Sequence, residues 1–512
     1  MVKAATPLDL PLGDPCSGTK IWRWLYEEIR DAILSGRLKR GSRLPATREL
    51  AKQYRVSRGS AVMAFEQLHS EGYLEGRSGD GTYVNSHLPE EFLTAPRIAI
   101  VGTQTARKKP ALSRLANRLP KVLDIGIEPL RAFSPAPSPD EFPVATWAQI
   151  AARCLRGATR RLLADRDCRG YRPLREAIAN YLGEARGVKC TADEVIIVSG
   201  IQHGLDLTIR VLLNPDDTVC VEDPCFPVVP AMFRALPAKV VPVPVDTDGF
   251  DSLKAKRRCR RPKLIYVTPA HQFPLGPMMP VSRRMALLEW ASRTGAWIFE
   301  DDYDSEYRYA GRPVPALQGF DHCGSVIYSG SFSKVLLPSL RLGYLVVPSE
   351  LVDKFAAARF LTDRHASVLE QAAMCEFLSA GHFGRHIRRT RELYASRLMT
   401  LREAMHSRLA GIIDLPNIDA GTHIAAWLKQ GLRADDIAAA VAAKNVVAVP
   451  IRRFVLQTSR SEGFLLGFAP YTPRQIRQGV DVFAAMIESL LHKQPRPQQP
   501  CEKRTQNTRR VV

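Results

Sequence analysis

No apolar stretch in this 512-residue chain approaches the roughly 18 residues that a bilayer-spanning helix needs. The opening Met1-Val-Lys-Ala-Ala-Thr-Pro7 lacks the apolar core of a secretory leader, which leaves the cytoplasm as the expected compartment. Ten cysteines are scattered without paired metal spacing. They read as reduced thiols and packing residues, so neither a disulfide framework nor a metal site is expected. Acids are scarce too: 52 Asp and Glu face 72 Lys and Arg, a formal net charge of +20. That balance favours polyanionic partners and says nothing about fold. Residues 97–121 hold seven bases and no acid, residues 254–263 hold another seven, and the tail from 493 to 512 is basic and rich in Pro and Gln. Each run alone fits a solvated segment as well as a nucleic-acid contact. The length exceeds one typical domain, and 45% hydrophobic content suits two or more folded units.

What is present centres on Lys334. An apolar strand, Val326 to Tyr328, runs into the hydroxyls of Ser329, Ser331 and Ser333, then Lys334, and seven residues on comes Arg341. Such an order suits an amine at the end of a buried strand, ready to form a Schiff base with an aldehyde cofactor, while the hydroxyls and Arg341 hold a phosphate. Ser-x-Ser-Lys by itself is weak evidence and fits a solvated loop lysine better. Two upstream stretches add complementary chemistry. Ala296 to Glu306 is an apolar strand ending in a burst of acids, with Asp301 thirty-three residues before Lys334. A carboxylate there can keep a pyridine nitrogen protonated, and Tyr303 can bond the ring's phenolic oxygen. Val195 to His203 is a β-branched strand, then Ser-Gly, then a helical pattern, so the amides near Gly200, Ile201 and Gln202 open a helix towards a phosphate. Strand-like runs alternate with helical ones from residue 194 to 347, which predicts a mostly parallel sheet with ligands beyond the strands' carboxyl ends.

The N-terminal stretch follows different rules. Leu25, Ile29, Ala32 and Ile33 share one helical face, and Gly36 stands where that helix would stop. A second helix is expected over Arg48 to Tyr54. A third follows the turn at Val56 to Ser60, carrying Val62, Phe65 and Leu68 inward, with Ser57 as its N-cap. Arg58, Ser60, Ala61 and Met63 fall on or near the opposite face, which can enter a major groove. Glu71 to Val84 reads as two short strands around a Gly-rich turn, a wing whose Arg77 reaches phosphate or minor groove.

Residues 160 to 475 resemble the fold-type I aminotransferases, pyridoxal 5′-phosphate (PLP) enzymes. The matching runs are Gly170 to Arg175, Val221 to Pro224, Tyr266 to Pro274, Glu300 to Glu306, Gly330 to Lys334 and Leu340 to Tyr344. The similarity is greatest to the aminotransferase-like half of MocR/GabR-type regulators. Residues 20 to 86 resemble the winged helix-turn-helix of GntR-type regulators through Gly36 to Leu38, Gly41 to Ala51, Val56 to Arg58, Glu71 to Leu74 and Gly81 to Val84. The resemblance implies a multi-domain chain: an N-terminal winged helix-turn-helix of three helices plus a β-wing, and a C-terminal α/β PLP-dependent transferase of fold type I. Expected bounds are 18–86 for the DNA-binding domain, 87–122 for a flexible basic linker, 123–490 for the aminotransferase-like domain and 491–512 for a disordered basic tail. Within 123–490, a large parallel-sheet domain extends to about 350 and a small α+β domain covers about 351–490.

Roles follow from the same resemblance. Lys334 is the Schiff-base lysine, Asp301 the partner of the ring nitrogen and Tyr303 the donor to the phenolic oxygen. Gly200, Ile201, Gln202, Ser331, Ser333 and Arg341 form the phosphate cradle, Phe226 stacks on the ring, and Arg453 grips an effector carboxylate. DNA contacts are expected from Arg43, Thr47, Arg48, Ser57, Arg58, Ser60, Arg77, Gly81 and Thr82. His203 and His423 take core or supporting positions. The implied partners are double-stranded operator DNA with repeated half-sites, an amine or amino-acid effector and a second copy of the chain, head to tail; no membrane is involved.

Four positions depart from the family pattern. Ala46 replaces a serine that caps the second helix, a loss of roughly 1 kcal/mol unless Thr47 substitutes. Phe226 keeps a ring face but drops a tyrosine hydroxyl. Val228 stands where GabR has an effector-binding arginine, which speaks against a GABA-like effector. Asp165 stands where a tyrosine would reach the partner subunit's cofactor phosphate. The expected function is a PLP-dependent transcriptional regulator. Two alternatives stay open: a working aminotransferase with a DNA-binding appendage, and a DNA-binding protein whose enzyme-like half only dimerises.

Overall fold

The computed structural model describes residues 20–77, 79–89, 111–119, 132–164, 167–236, 238–311, 314–429, 431–457 and 462–493. Asp165, most of the 87–122 linker and the tail from 494, for which expectations are given above, lie outside the described residues. The chain divides into two compact units, Met1–Pro110 and Ala111–Val512. Among the described residues no helix is long and apolar enough to cross a membrane.

In the smaller unit, α1 (Ile21–Leu34) buries Leu25, Ile29, Ala32 and Ile33, the stripe expected from their spacing. Next come α2 (Thr47–Gln53) and α3 (Arg58–Ser70), then the antiparallel hairpin of β1 (Leu74–Arg77) and β2 (Gly81–Val84). Ala46 precedes α2 with no side-chain cap bond, whereas the Ser57 hydroxyl accepts the Ser60 N–H at 3.0 Å and starts α3. The inward face of α3 is Ala61, Ala64, Phe65 and Leu68. Ala61, expected on the outward face, is fully buried, and Val62, expected inside, is only half-buried. The reason is the helical repeat: 61, 64, 65 and 68 form one stripe, and Val62 lies about 100° round from Ala61.

The larger unit begins with α4 (Val144–Arg156), α5 (Arg160–Leu163) and α6 (Arg172–Arg186). Strand and helix then alternate through β3 (Val195–Val198), α7 (Ile201–Leu212), β4 (Thr218–Asp223), α8 (Val228–Ala235), β5 (Lys239–Pro244), α9 (Ser252–Arg258), β6 (Leu264–Val267), α10 (Val281–Thr294) and β7 (Trp297–Asp302). β8 (Val326–Ser331), α11 (Phe332–Val335) and β9 (Gly343–Val346) complete a seven-stranded sheet of order β3-β9-β8-β7-β6-β4-β5. Only β9 runs against its neighbours. Alternation along β6 shows why both faces are covered: Leu264 and Tyr266 enter one apolar cluster, Ile265 and Val267 the other.

β5 has no counterpart among the strand-like runs read from the sequence; its stretch, Lys-Val-Val-Pro-Val-Pro, carries two prolines. Proline is tolerated here because β5 is an edge strand. Lys239 N–H bonds Asp217 O at 2.8 Å and Val245 N–H bonds Asp223 O at 3.2 Å, so the odd-numbered amides face β4. Pro242 and Pro244 fall on the even positions and cost the ladder nothing.

After β9 the chain is mainly helical: α12 (Val352–Thr362), α13 (Val368–Ser379) and the 28-residue α14 (His382–Leu409). It then forms β10 (Ile413–Asp414), β11 (His423–Leu428), α15 (Ala434–Ala442), β12 (Val449–Pro450), β13 (Gly463–Gly467) and α16 (Pro473–Lys493). The four strands make an antiparallel sheet of order β10-β11-β13-β12.

Candidate cofactor site and nucleic-acid face

The carboxyl ends of β7 and β8 are neighbours, with Asp301 opposite Ser329 in a parallel pair. Asp301 is 6% exposed. Its Oδ2 accepts the Tyr266 hydroxyl, while Oδ1 is buried with no hydrogen-bond partner among the described residues. Burial pushes this carboxyl up to about 7, with Asp302 and Glu222 adding repulsion and the Tyr266 bond and Lys334 opposing it. Glu222, held by Thr268 Oγ1 at 2.5 Å, is likewise pushed to about 7 by burial.

β8 passes directly into the short α11, which carries Lys334. The lysine lies deep among protein atoms yet keeps open space along its side chain. Crowding and the Arg341 charge hold its amine below the usual lysine value, against the pull of Asp301 and Asp304. An amine with a lowered pKa and an open approach is equipped to attack a carbonyl carbon.

The end expected to take a phosphate is shaped by backbone. Gly200 has φ +115°, a conformation that L side chains rarely adopt, and it turns β3 into α7. No side chain caps α7, so its leading amides at Ile201 and Gln202 are unsatisfied by a cap and carry the helix's positive end. A Cβ at Gly200 would stand 3.7 Å from Arg341 Nη1, which puts the guanidinium beside this turn. Arg341 is itself left-handed at φ +47°. Gly343 closes the arrangement: a Cβ there would come 2.8 Å from Gly330 O and 3.1 Å from Gly200 Cα. Ser331 is 7% exposed at the end of β8. Ser333 accepts the Leu342 N–H at 3.1 Å, so its hydroxyl steadies the turn behind Arg341.

Around the ring end stands an aromatic group. Phe226, 37% exposed, packs edge-on to Phe273 at 5.8 Å, and Phe273 meets Tyr303 at 6.1 Å. The Tyr303 hydroxyl is 3.0 Å from His271 Nδ1, and the same nitrogen lies 3.0 and 3.1 Å from the two Asp304 oxygens. His271 received no role from sequence; its signal was a histidine between a strand end and Gln-Phe-Pro. His423, assigned a supporting place, is 3% exposed on β11 and stacks 6.4 Å from Tyr303. Burial, followed by the neighbouring His271 and Lys334, holds it well below the usual histidine value. His203 lies apart from this group and accepts the Ser199 N–H at 3.3 Å, bracing the turn before Gly200.

Arg453 is exposed on the turn Ile451–Phe454. Its neighbour Arg452 pairs with Asp435. Phe454 meets Phe273 at 5.3 Å and its carbonyl accepts the Cys225 N–H at 3.0 Å. The Asp223 carboxylate accepts the Leu456 and Gln457 amides at 2.8 and 3.0 Å. The segment bearing Arg453 is thereby fastened to the corner that carries Phe226. Val228 is buried as the first residue of α8.

In the smaller unit, Arg58 is exposed and Ser60 half-buried at the start of α3; on α2, Thr47 is half-buried and Arg48 exposed. Arg43 bridges to Tyr83, and a Cβ at Gly81 would lie 3.0 Å from Arg43 Nε, so these two meet at the wing's base, beside Thr82. Arg77 is tied to Glu75 at 2.7 Å and lies over the Tyr83 ring at 4.3 Å.

These residues fit a phosphorylated pyridine aldehyde. The unpartnered Asp301 Oδ1 suits a ring N–H, Lys334 the aldehyde, Phe226 a ring face, and the Gly200 turn with Arg341 a phosphate. Residues 137–483 match the family described as aminotransferase class I and II, and residues 23–84 match the gntR family of bacterial regulatory proteins. The chain is 39% identical over 470 residues to the probable rhizopine catabolism regulatory protein MocR of Rhizobium meliloti, covering 91% of this chain and 94% of that one. It is 30% identical over 479 residues to the pyridoxine biosynthesis transcriptional regulator PdxR of Corynebacterium glutamicum, covering 92% and 96%. Among solved structures it is similar to Pyrococcus horikoshii kynurenine aminotransferase, with TM-score 0.68 and 26% identity over 74% of this chain and 97% of that one. LysN of Thermus thermophilus, solved with N-(5′-phosphopyridoxyl)-L-leucine, gives TM-score 0.68 and 27% identity over 74% and 98%.

Proposed function

Since this chain belongs to the GntR-type regulators that carry a class I and II aminotransferase domain with PLP as cofactor, we propose that Lys334 is the amine through which it senses that cofactor or an amine or amino-acid adduct of it. It is a PLP-dependent, DNA-binding transcriptional regulator of the MocR type. The observation that carries the sensing proposal is the buried, partnerless Asp301 Oδ1 beside an accessible Lys334.

When bound, the cofactor supplies an aldehyde carbon and a ring that withdraws electrons. The chain's residues do the rest. Asp301 holds a proton at the ring nitrogen, Tyr303 donates to the ring oxygen, and the Ile201 and Gln202 amides with Arg341 anchor the phosphate. Arg453 receives the carboxylate of an amino-acid effector, and an effector amine competes with Lys334. DNA is held by α3 and the wing, with Arg58 and Arg77 as the exposed cations. The chain works in the cytoplasm as a head-to-tail homodimer that places two smaller units on paired half-sites, and an effector acts by binding one arrangement of the dimer more tightly than the other.

The test is a PLP titration followed by visible absorbance and by operator affinity, with Lys334→Ala as control. The expected result is a new band and a changed affinity in the wild type, both absent from the variant. Unchanged operator affinity and salt dependence across both would remove cofactor sensing. A second reading, a working aminotransferase with a DNA-binding appendage, would use the same Lys334, Asp301 and Tyr303. Multiple turnover with an amino acid and a keto acid would establish that reading, since a sensor needs only the first half of the chemistry.

A further inference from the structure

His271 sits in the loop after β6, 2% exposed, with its Nδ1 facing two oxygen partners at once: the Tyr303 hydroxyl at 3.0 Å and the Asp304 carboxylate at 3.0 and 3.1 Å. A carboxylate offers only lone pairs, so the proton between His271 and Asp304 must reside on Nδ1. An Nδ1 that carries a proton has no lone pair in the ring plane to accept a second one. The Tyr303 hydroxyl therefore meets Nδ1 through its oxygen, and its own hydrogen is directed elsewhere. The opposite assignment, with Tyr303 donating to a bare Nδ1, would set two electron-rich partners, Nδ1 and Asp304, against each other inside the protein.

The ring is also prevented from turning. Gly421, at φ +93°, backs onto it so closely that a Cβ would fall 2.1 Å from His271 Cε1, and a Cβ at Gly276 would fall 3.3 Å from Nε2. Gly421 is fixed in turn: its N–H bonds Tyr307 O at 2.8 Å and its carbonyl accepts the Tyr309 hydroxyl. His271 Nε2 is buried with no partner among the described residues, so it offers no competing contact that would turn the ring.

We propose that Asp304 and His271 are positioning residues that hold the Tyr303 hydroxyl by its oxygen, so that its proton is always presented to the cofactor's ring oxygen rather than lost to the imidazole. Asp304 fixes the tautomer, His271 transmits it, and Tyr303 makes the contact. The chain thus prepares a donor at this position before any ligand arrives, and no reorganisation of the hydroxyl is needed on binding. This rests on the PLP-binding reading for its functional meaning, but its physical core concerns the cofactor-free protein.

The experiment has two arms. Nitrogen-15 spectra of histidine-labelled, cofactor-free protein, with the signal assigned by loss in His271→Gln, should show His271 protonated at Nδ1. In Asp304→Ala it should shift towards protonation at Nε2. A wild-type signal from the Nε2–H form overturns the proposal outright, whether or not PLP binds. The second arm measures PLP dissociation constants by absorbance for wild type, Asp304→Ala, Tyr303→Phe and the double variant. Asp304→Ala should weaken binding about tenfold when Tyr303 is present and leave it unchanged in the Tyr303→Phe background, the behaviour of two groups acting through one hydrogen bond. Equal losses in both backgrounds would make Asp304 merely structural and overturn the proposal. Wild-type protein that takes up no PLP would sink the cofactor reading while the spectra still judge the tautomer.

Discussion

Asp301 gives its two oxygens different environments, and the difference is measurable. Burial holds this carboxyl up at about 7, above the roughly 3.9 of an exposed aspartate. An acid whose folded pKa is raised stabilises the native state fully below its unfolded value and loses that contribution as pH rises through the folded one. The cofactor-free protein should therefore lose stability through this group between about pH 4 and about pH 7. Asp301→Asn should make the fall in melting temperature over that window shallower, measured by calorimetry; an unchanged slope would mean that the carboxyl does not titrate as its burial requires. In the smaller unit, Arg58 is an exposed cation at the start of α3. Arg58→Ala should reduce the slope of log affinity against log salt for operator DNA by about 1 if the side chain contacts one phosphate. A base-reading role would instead relax sequence preference and leave that slope alone.

At the level of elements, the turn from β3 into α7 forms the proposed phosphate end of the site. Gly200→Ala introduces a side chain at φ +115° and brings it against Arg341. Strain of about 1–3 kcal/mol at that turn should weaken PLP binding about tenfold or more, read by absorbance titration. A variant that binds PLP as the wild type does would exclude this turn from the cradle. Much of this arrangement was legible in sequence. Strand-to-glycine, strand-to-acid and strand-to-lysine transitions occur at Gly200, Asp301 and Lys334, and chemistry at strand ends is a local pattern. Tertiary contributions were not legible. His271 became visible only when β6 and β7 placed it beside Tyr303 and Asp304, and Asp223 only when residues from beyond β12 bonded its carboxylate. Ala61 was misplaced because an alanine carries little hydrophobic signal, although its position on the helical repeat would have put it inside. β5 escaped because edge strands admit prolines that a central strand would reject.

For the whole molecule, the apolar interior is split. Among the described residues, the cluster built from α1, α2, α3 and the wing contains none from the larger unit. Two separate interiors predict two calorimetric transitions. On the proposed site, PLP binds the larger unit and should raise that unit's transition alone; at one hundred times its dissociation constant the gain is about 2.7 kcal/mol. Both transitions rising together would show that the units melt as one. The prolines of β5 reach further than the ladder they leave intact. Pro242 and Pro244 aim their missing donors at the outer rim of the seven-stranded sheet, so a foreign β-segment arriving there finds carbonyls with too few amides to register against. That flank is blunted against fibril-like growth.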